Sequence, residues 1–581
     1  MTGVLACISR LVAGGTMRSF DTDPASVVSA SRGQRVHRDS LAHSDNLVRN
    51  LYEVRTGVWS LVGNGLSNQT FIDAPDGIIA IDTGESNEEM RSALSELRKV
   101  TNRPIVAVIY THFHYVAGTR EIFLEAGKGL PVYGHEKIDF NRSRAATEIG
   151  PSYGRGLVYQ FGIALPPDGP DGLVNVGLGL HYRNRDHHPF TNGYVPPTIE
   201  WRGGEKVTIA GLKVEVTHAP SDADDSVTLW FPEIKTCVHN IVWPVLFNIF
   251  AIRGEEYRDP LQLVRGIDHV MSLGAEYLVA AHGPPMIGAV EIQERVMRDR
   301  DSIQFLWDQT VRGMNKGMTM DEIASTVSLP SEFDNDFLTS ELYGVAEHHV
   351  RQIYSGIRGW FDGDPSKLFP LEPQERASRL VAGFGGTKEV ARQAEEAVKN
   401  NDLRWALELS SWLVAQSTAT SSDRQRLAGV LREIGYRSAA ANIRNWCLTT
   451  ARDLDGTDDL SRFCSHRLRE AQVLAMSPKE SLNLLRVMLD PLLAEGIDCH
   501  IGFDLSPTES HGLHVRRCVA VVTDGTIATN RIQTSFQTWA SILAGSIALS
   551  DSIATGSTLV SGNSSEVLEA MAVFENSGLR R

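Results

Sequence analysis

The segment Ile109-Tyr-Thr-His112-Phe-His114-Tyr-Val-Ala-Gly118 sets two imidazoles one residue apart, just after an apolar run. Such a run reads as a buried strand, and period-two alternation then aims both rings to one side at the strand's exit. Two imidazoles so placed form half of a transition-metal site. Further ligand-capable side chains stand where other strand-like runs end: Thr217-His218-Ala-Pro-Ser-Asp222, His239, and Ala281-His282-Gly. Groups on one edge of a sheet can converge on a single ion although the chain separates them widely. His218 is read as a satisfied structural histidine.

The elements that must position these groups are legible in the hydrophobic pattern. Val58 to Val62, Gln69 to Asp73 and Gly77 to Asp82 read as short strands separated by Gly, Asn and Asp turns. A helix is expected from Asn87 to Lys99, with Ser86 as N-cap and Met90, Leu94 and Leu97 on one face. Ile105 to Tyr110 is the strand that feeds His112. A Gly-, Pro- and Asn-rich stretch between Val132 and Glu200 offers long loops of the kind that carry binding. Strands resume at Lys206 to Ile209, Leu212 to Thr217, Val227 to Phe231 and Lys235 to His239. A helix from Pro260 to Leu273 then leads to a strand from Tyr277 to Ala281. This is a mixed α/β domain.

From about residue 290 the spacing turns helical. Lys388 to Asn400 (Thr387 as N-cap), Asp402 to Gln416, Asp423 to Ile434 and Arg437 to Thr450 suggest a bundle or a tetratricopeptide-like stack that serves as a partner or dimer surface. An α+β module closes the chain. It has a helix from Pro478 to Leu493, strands near His500–Leu505, His514–Thr523 and Gly525–Ile532, and a helix after Ser535 that includes Thr538 to Leu543. The first fifty residues are polar and aperiodic and read as an arm or loose tail.

Composition bounds the function. A chain of 581 residues and 63.9 kDa suggests about three domains. Acidic residues outnumber basic ones by 71 to 56, so the net charge is −15, which argues against a nucleic-acid partner. The longest apolar stretch, Ile241 to Ile252, is interrupted by Pro244 and Asn248 and falls short of a membrane span. Six cysteines without a C-x-x-C pair offer neither a disulfide framework nor a zinc knuckle; Cys7 and Cys237 stand alone. The apolar run from Gly3 to Ile8 is cut by Arg10, so no signal peptide is read and a cytoplasmic location is expected, with Met17 as an alternative start.

Several segments together resemble the zinc-dependent alkyl sulfatases of the metallo-β-lactamase superfamily. They are the strand–His-x-His turn, the pair of strands in Thr70-Phe-Ile-Asp-Ala-Pro-Asp-Gly77-Ile-Ile-Ala-Ile-Asp82, and Ala281-His-Gly. Ile252-Arg253-Gly-Glu-Glu-Tyr-Arg258-Asp259, Gly359-Trp-Phe-Asp-Gly-Asp-Pro365 and Arg404-Trp-Ala-Leu-Glu-Leu narrow the likeness, which spans about residues 50 to 578. It implies an α/β fold: a metallo-β-lactamase αββα sandwich, then an all-α dimerisation domain and an α+β sterol-carrier-like C-terminal domain. The expected division is an N-terminal arm over 1–50, a catalytic domain over 51–295, a helical domain over 296–450 and the last domain over 451–581. By the same resemblance His112 and His114 match ligands of the first metal, Asp222 falls where the family has a ligand glutamate, and His282 matches the histidine after the last core strand. Arg253 matches the sulfate-holding arginine, whose planar fork suits a tetrahedral oxyanion. His348 matches the general-acid histidine, which protonates the departing alkoxide.

The chain also departs from the family. The pattern His-x-His-x-Asp-His has Val116 and Ala117 in place of its Asp and second His, and neither can bind a metal. His239 stands near the family's bridging glutamate. The expected site is therefore one ion held by His112, His114 and His239 with Asp222 or His282. Zinc is favoured; Fe²⁺, Mn²⁺ or Cu²⁺ also suit a three-histidine set. The leading functional reading is a hydrolase that cleaves an ester with an anionic head and an apolar chain through metal-activated water. Two others are weighed: a mononuclear lyase or O₂-dependent oxidoreductase, and a non-catalytic lipid- or alkyl-binding protein. The partners expected are an amphiphilic small molecule and a second copy of the chain, the latter because the helical region's apolar stripes exceed what one short bundle covers.

Overall fold

The computed structural model describes residues 19–580 except 147, 335 and 508, with only the backbone for 145 and 146. The run Gly3–Ile8, Cys7 and Met17 lie outside the described residues. The chain divides into two compact units, 1–142 with 156–459, and 143–155 with 460–581.

In the first unit, one sheet runs in chain order through β1 (Asn50–Arg55), β2 (Val58–Val62), β3 (Gln69–Ala74), β4 (Gly77–Ile81), β5 (Ile105–Ile109), β6 (Val132–His135) and β7 (Ile199–Trp201). Pairing is antiparallel up to β4 and parallel from β4 onward. Parallel neighbours need crossovers, and α1 (Asn87–Leu97) and α2 (Thr119–Ala126) provide two of them. The side chain of Ser86 accepts from the Glu89 amide, so the expected cap is present. The second sheet comprises β8 (Lys206–Ile209), β9 (Leu212–His218), β10 (Val227–Phe231), β11 (Thr236–His239), β12 (Tyr277–Ala280) and β13 (Met286–Ile287). There β11 and β12 pair in parallel, joined through α3 (Pro260–Ser272).

Strand alternation assigns the layers. Ile79, Ile81, Ala107 and Ile109 of the first sheet meet Val214, Val216, Leu229, Val238 and Val279 of the second in one buried cluster. Their alternates Ile78, Ala80 and Val108 pack under Met90, Leu94 and Leu97 of α1 and Ile122 of α2. On the far side, Cys237 and Leu278 pack with Leu263, Ile267 and Val270 of α3. The result is an αββα sandwich whose central strands are apolar on both faces.

The long helix α4 (Ala289–Asn315) continues the outer core and shares a cluster with Val350 and Ile353 of α5 (Ala346–Arg358). Next come α6 (Pro373–Gly383), α7 (Thr387–Lys399), α8 (Leu403–Ala415), α9 (Ser421–Arg437) and α10 (Ala441–Leu454). The helix ends shift by one to four residues from the sequence reading. Thr387 is the first helical residue of α7 and Gly386, at φ 90°, is its cap. Arg437 closes α9, because Ser438 and Ala440 are extended and delay α10 to Ala441.

Residues 19–49 are not a loose tail. The Asp21 amide donates to the Arg437 carbonyl at 2.9 Å, and a His43 imidazole nitrogen lies 2.8 Å from the Gly177 carbonyl oxygen.

The second unit holds α11 (Pro478–Leu485) and a sheet of β14 (Asp498–Asp504), β15 (His511–Arg516), β16 (Val519–Asp524), β17 (Asn530–Thr534) and β18 (Thr558–Ser561), in the order β16-β15-β14-β17-β18. The strand expected over His514–Thr523 is a hairpin, since Arg517 and Cys518 adopt φ 50° and 57°. The helix expected to reach Leu493 ends at Leu485 and gives way to a 3-10 turn. Ser535 caps α12 (Phe536–Leu543), and α13 (Ser564–Ala572) follows. Phe503, Leu513, Ile532, Trp539 and Phe574 are wholly buried in this unit's core. Among the described residues no helix is long and apolar enough to cross a membrane.

Candidate metal site

The strand β5 ends at Ile109, and His112 is still extended at φ −167°. Phe113–Tyr115 then form a single 3-10 turn. That turn, rather than strand alternation, folds His114 beside His112, with ring centroids 5.0 Å apart and planes at 88°. Asp222 reaches the same place from the loop between β9 and β10. One ligand atom from each of His112, His114 and Asp222 lies within 4.8 Å of the others. Asp222 Oδ2 is 3.0 Å from His114 Nδ1 and 3.8 Å from His112 Nε2.

Each of the three is oriented from behind. Thr111 Oγ1 donates to Asp82 Oδ2 at 2.7 Å, so at 2.9 Å from His112 Nδ1 it accepts the imidazole N–H. The His112 Nε2 lone pair therefore faces Asp222, buried and without a hydrogen-bond partner. Burial lowers the His112 pKa to about 3 and keeps the ring neutral. The Asn240 amide donates to Asp222 Oδ1 at 2.6 Å, leaving Oδ2 to the histidines. Burial disfavours the Asp222 charge, but the charged His114 that hydrogen-bonds it and the Arg258 guanidinium outweigh burial and hold the carboxyl well below its usual range. Burial likewise opposes a charged His114, yet Asp222 and Glu255 raise its pKa to about 9. Glu255 Oε1 lies 3.6 Å from His114 Nε2. One carboxylate oxygen and two imidazole nitrogens, buried and mutually close, fit a borderline divalent cation.

The structure gives His239 and His282 other parts. His239 Nδ1 accepts from the backbone N–H groups of Ile241 and Val242 at 3.2 and 3.3 Å. Its Nε2 is buried without a hydrogen-bond partner. The His282 ring donates from Nδ1 to the Leu66 carbonyl at 3.0 Å, and its Nε2 accepts the Tyr115 hydroxyl at 3.2 Å. Neither joins the mutually close trio.

Arg253 is tied to the trio through Glu255, to which it donates from Nε at 2.9 Å and from Nη2. Arg258 grips the other Glu255 oxygen through Nη2. His348, on α5, meets the Phe250 ring edge-on at 5.7 Å; its Nδ1 is buried without a partner, and burial lowers its pKa. Among the described residues no hydrogen bond or ion pair links His348 directly to the trio. Sequence reasoning passed over Asp82, Thr111, Tyr115, Asn240 and Glu255 as functional residues. The available signals were that Asp82 ends a strand, that Thr111 and Tyr115 flank the histidines, and that Glu255 follows Arg253 by two.

Residues 62–235 match the metallo-β-lactamase superfamily and 319–457 the alkyl sulfatase dimerisation family. A linear primary-alkylsulfatase of Pseudomonas sp. (strain ATCC 19151) is 35% identical over 475 residues, which is 78% of this chain and 88% of that protein. The chain belongs to the alkyl sulfatase family of the metallo-β-lactamase superfamily. Among other alkyl sulfatases, the Saccharomyces cerevisiae alkyl/aryl-sulfatase BDS1 is 28% identical over 91% of this chain and 83% of its own length. The stereoselective inverting sec-alkylsulfatase Pisa1 from Pseudomonas sp. matches with a TM-score of 0.82 at 25% identity, covering 99% of this chain and 94% of that one. The protein is thus a metal-dependent, sulfatase-like hydrolase.

The residues that follow Tyr115 add no ligand atom to the trio. Val116 is 1% exposed and packs in the apolar core under α1, and Ala117 has no donor atom to offer. The Tyr115 ring stands edge-on to both His112 and His282, at 5.0 and 5.3 Å. The lone pair His282 could give to a second ion is already engaged. His112, His114 and Asp222 together fit one cation.

Proposed function

We propose that the protein hydrolyses sulfate monoesters of apolar alcohols with a single zinc ion held by His112, His114 and Asp222. The observation that carries this is the convergence of those three ligand atoms beside the Glu255–Arg253 ion pair. The names of the relatives support the substrate class. When bound, zinc supplies Lewis acidity and a nucleophilic water at neutral pH. Asp82 and Thr111 keep the His112 tautomer that presents Nε2. Arg253 is assigned to the sulfate head, and His348 to the proton that leaves with the alcohol, which its imidazolium form donates. The test is metal analysis together with sulfate release from primary and secondary alkyl sulfates. Stoichiometric metal with no sulfate released would overturn the reading.

We further propose a homodimer formed through the helical region. The dimerisation-family match supports it, as does an apolar group of exposed side chains within that match: Ile357, Trp360, Leu368, Phe369 and Leu371, with Trp360 64% and Phe369 82% exposed. The second unit's five-stranded sheet with covering helices supports a sterol-carrier-like module.

A further inference from the structure

The segment from Arg253 to Arg258 contains an ion cluster that the proposed chemistry does not by itself require. Glu255 sits between two guanidinium groups, and the side chains of Arg253, Glu255 and Arg258 are only 7%, 9% and 2% exposed. Arg253 directs Nε and Nη2 to one carboxylate oxygen, and Arg258 directs Nη2 to the other. Guanidinium N–H groups thus reach both oxygens of Glu255, a setting of charge-assisted hydrogen bonds that suits the carboxylate. Arg258 is locked in turn, since its Nη1 donates to the Asn248 carbonyl at 2.7 Å and to Asn248 Oδ1 at 2.6 Å. Donors remain on this cluster: Arg258 Nε and Asn248 Nδ2 are buried without hydrogen-bond partners. The cluster adjoins the cation trio, because Glu255 Oε1 is 3.6 Å from His114 Nε2.

Two guanidiniums alone would present two positive charges to an arriving anion. With Glu255 between them the cluster presents one. We propose that Glu255 is a specificity-determining residue, a resident carboxylate that reduces the Arg253–Arg258 cradle to a net single charge so that it favours a singly charged sulfate ester over a doubly charged anion of the same shape. The inference rests on the sulfate-ester reading for the identity of the head group. It has a consequence for turnover. Hydrolysis joins R–OSO₃⁻ and water to give R–OH, SO₄²⁻ and a proton, so the product carries one more negative charge than the substrate. A cradle matched to one charge holds the ester and releases the product.

Isothermal titration of the metal-loaded protein at pH 7.5, repeated on the metal-free protein, tests this with two tetrahedral probes: methyl sulfate, a monoanion, and inorganic sulfate, a dianion. The wild type is expected to bind methyl sulfate more tightly. Glu255→Gln, which keeps the shape and removes the charge, is expected to bind inorganic sulfate at least tenfold more tightly than the wild type, with a smaller gain for methyl sulfate. An unchanged or weaker sulfate affinity in the variant overturns the proposal. So does a wild type that prefers the dianion or binds neither probe, and this ranking decides the matter if the variant does not fold. Sulfate release from decyl sulfate is scored separately: its absence defeats the proposed activity without altering the probe ranking.

Discussion

Asp82 and His112 are coupled through one hydroxyl, that of Thr111, which donates to the carboxylate at 2.7 Å and accepts from the imidazole at 2.9 Å. Such outer contacts fix the tautomer and the aim of a ligand histidine, and losing one typically costs 10–100-fold in metal affinity. Thr111→Val removes both hydrogen bonds with little change in volume. Competition with a chromophoric chelator is expected to show zinc affinity reduced by about 10–100-fold. An unchanged affinity would mean that the His112 ring is held by packing alone.

The ion count follows from Tyr115 and His282. Wild-type protein dialysed against excess zinc is expected to retain one ion per chain by elemental analysis, and the His112→Ala, His114→Ala double variant none. Tyr115→Phe frees the His282 lone pair, but with Val116 and Ala117 alongside it one histidine does not make a site, so the count stays at one. Two tightly held ions in the wild type would refute the single-cation account.

Glu89 gives stability a pH dependence unrelated to the cation. Burial, reinforced by Glu85, raises its pKa from the ordinary 4.5 to about 8. The folded protein therefore keeps a proton that the unfolded chain releases above pH 4.5. The stabilisation is complete below pH 4.5 and is lost as pH rises to 8, with a slope of at most about 1.4 kcal/mol per pH unit. Glu89→Gln lacks this titration. Urea unfolding at pH 5, 6.5 and 8 should show wild-type stability falling relative to the variant at each step; parallel pH profiles would contradict the assignment.

For the dimer, sedimentation equilibrium of the wild type is expected to give twice the 63.9 kDa chain mass. Trp360→Ser combined with Phe369→Ser removes the two most exposed aromatic side chains of the apolar group and should shift the mass toward a single chain. A wild type sedimenting as a single chain at micromolar concentration would end the proposal.

The legible parts of this molecule are those written in local pattern. Val58–Val62, Lys206–Ile209 and Val227–Phe231 start and stop where apolar alternation does, and His112 and His114 are marked by their spacing after a strand. What stayed hidden depends on partners distant in the chain. His239 looks like a ligand by residue type, but the Ile241 and Val242 amides engage its Nδ1, and no one-dimensional pattern records that contact. Glu255 has no role in the sequence pattern until the fold sets Arg253 and Arg258 around it. The Arg517–Cys518 turn escaped because neither residue is a usual left-handed turn former, so two strands looked like one.

The Tyr115–His282 contact also bears on how this lineage can change. An Asp at 116 alone would put a carboxylate into an apolar layer with no cation to meet it, and a His at 117 alone would leave His282 still committed to the tyrosine. Truncating Tyr115 to a small side chain would open a void against His112. No one of these single changes builds a second cation site, so any route from one ion to two must pass through combined substitutions.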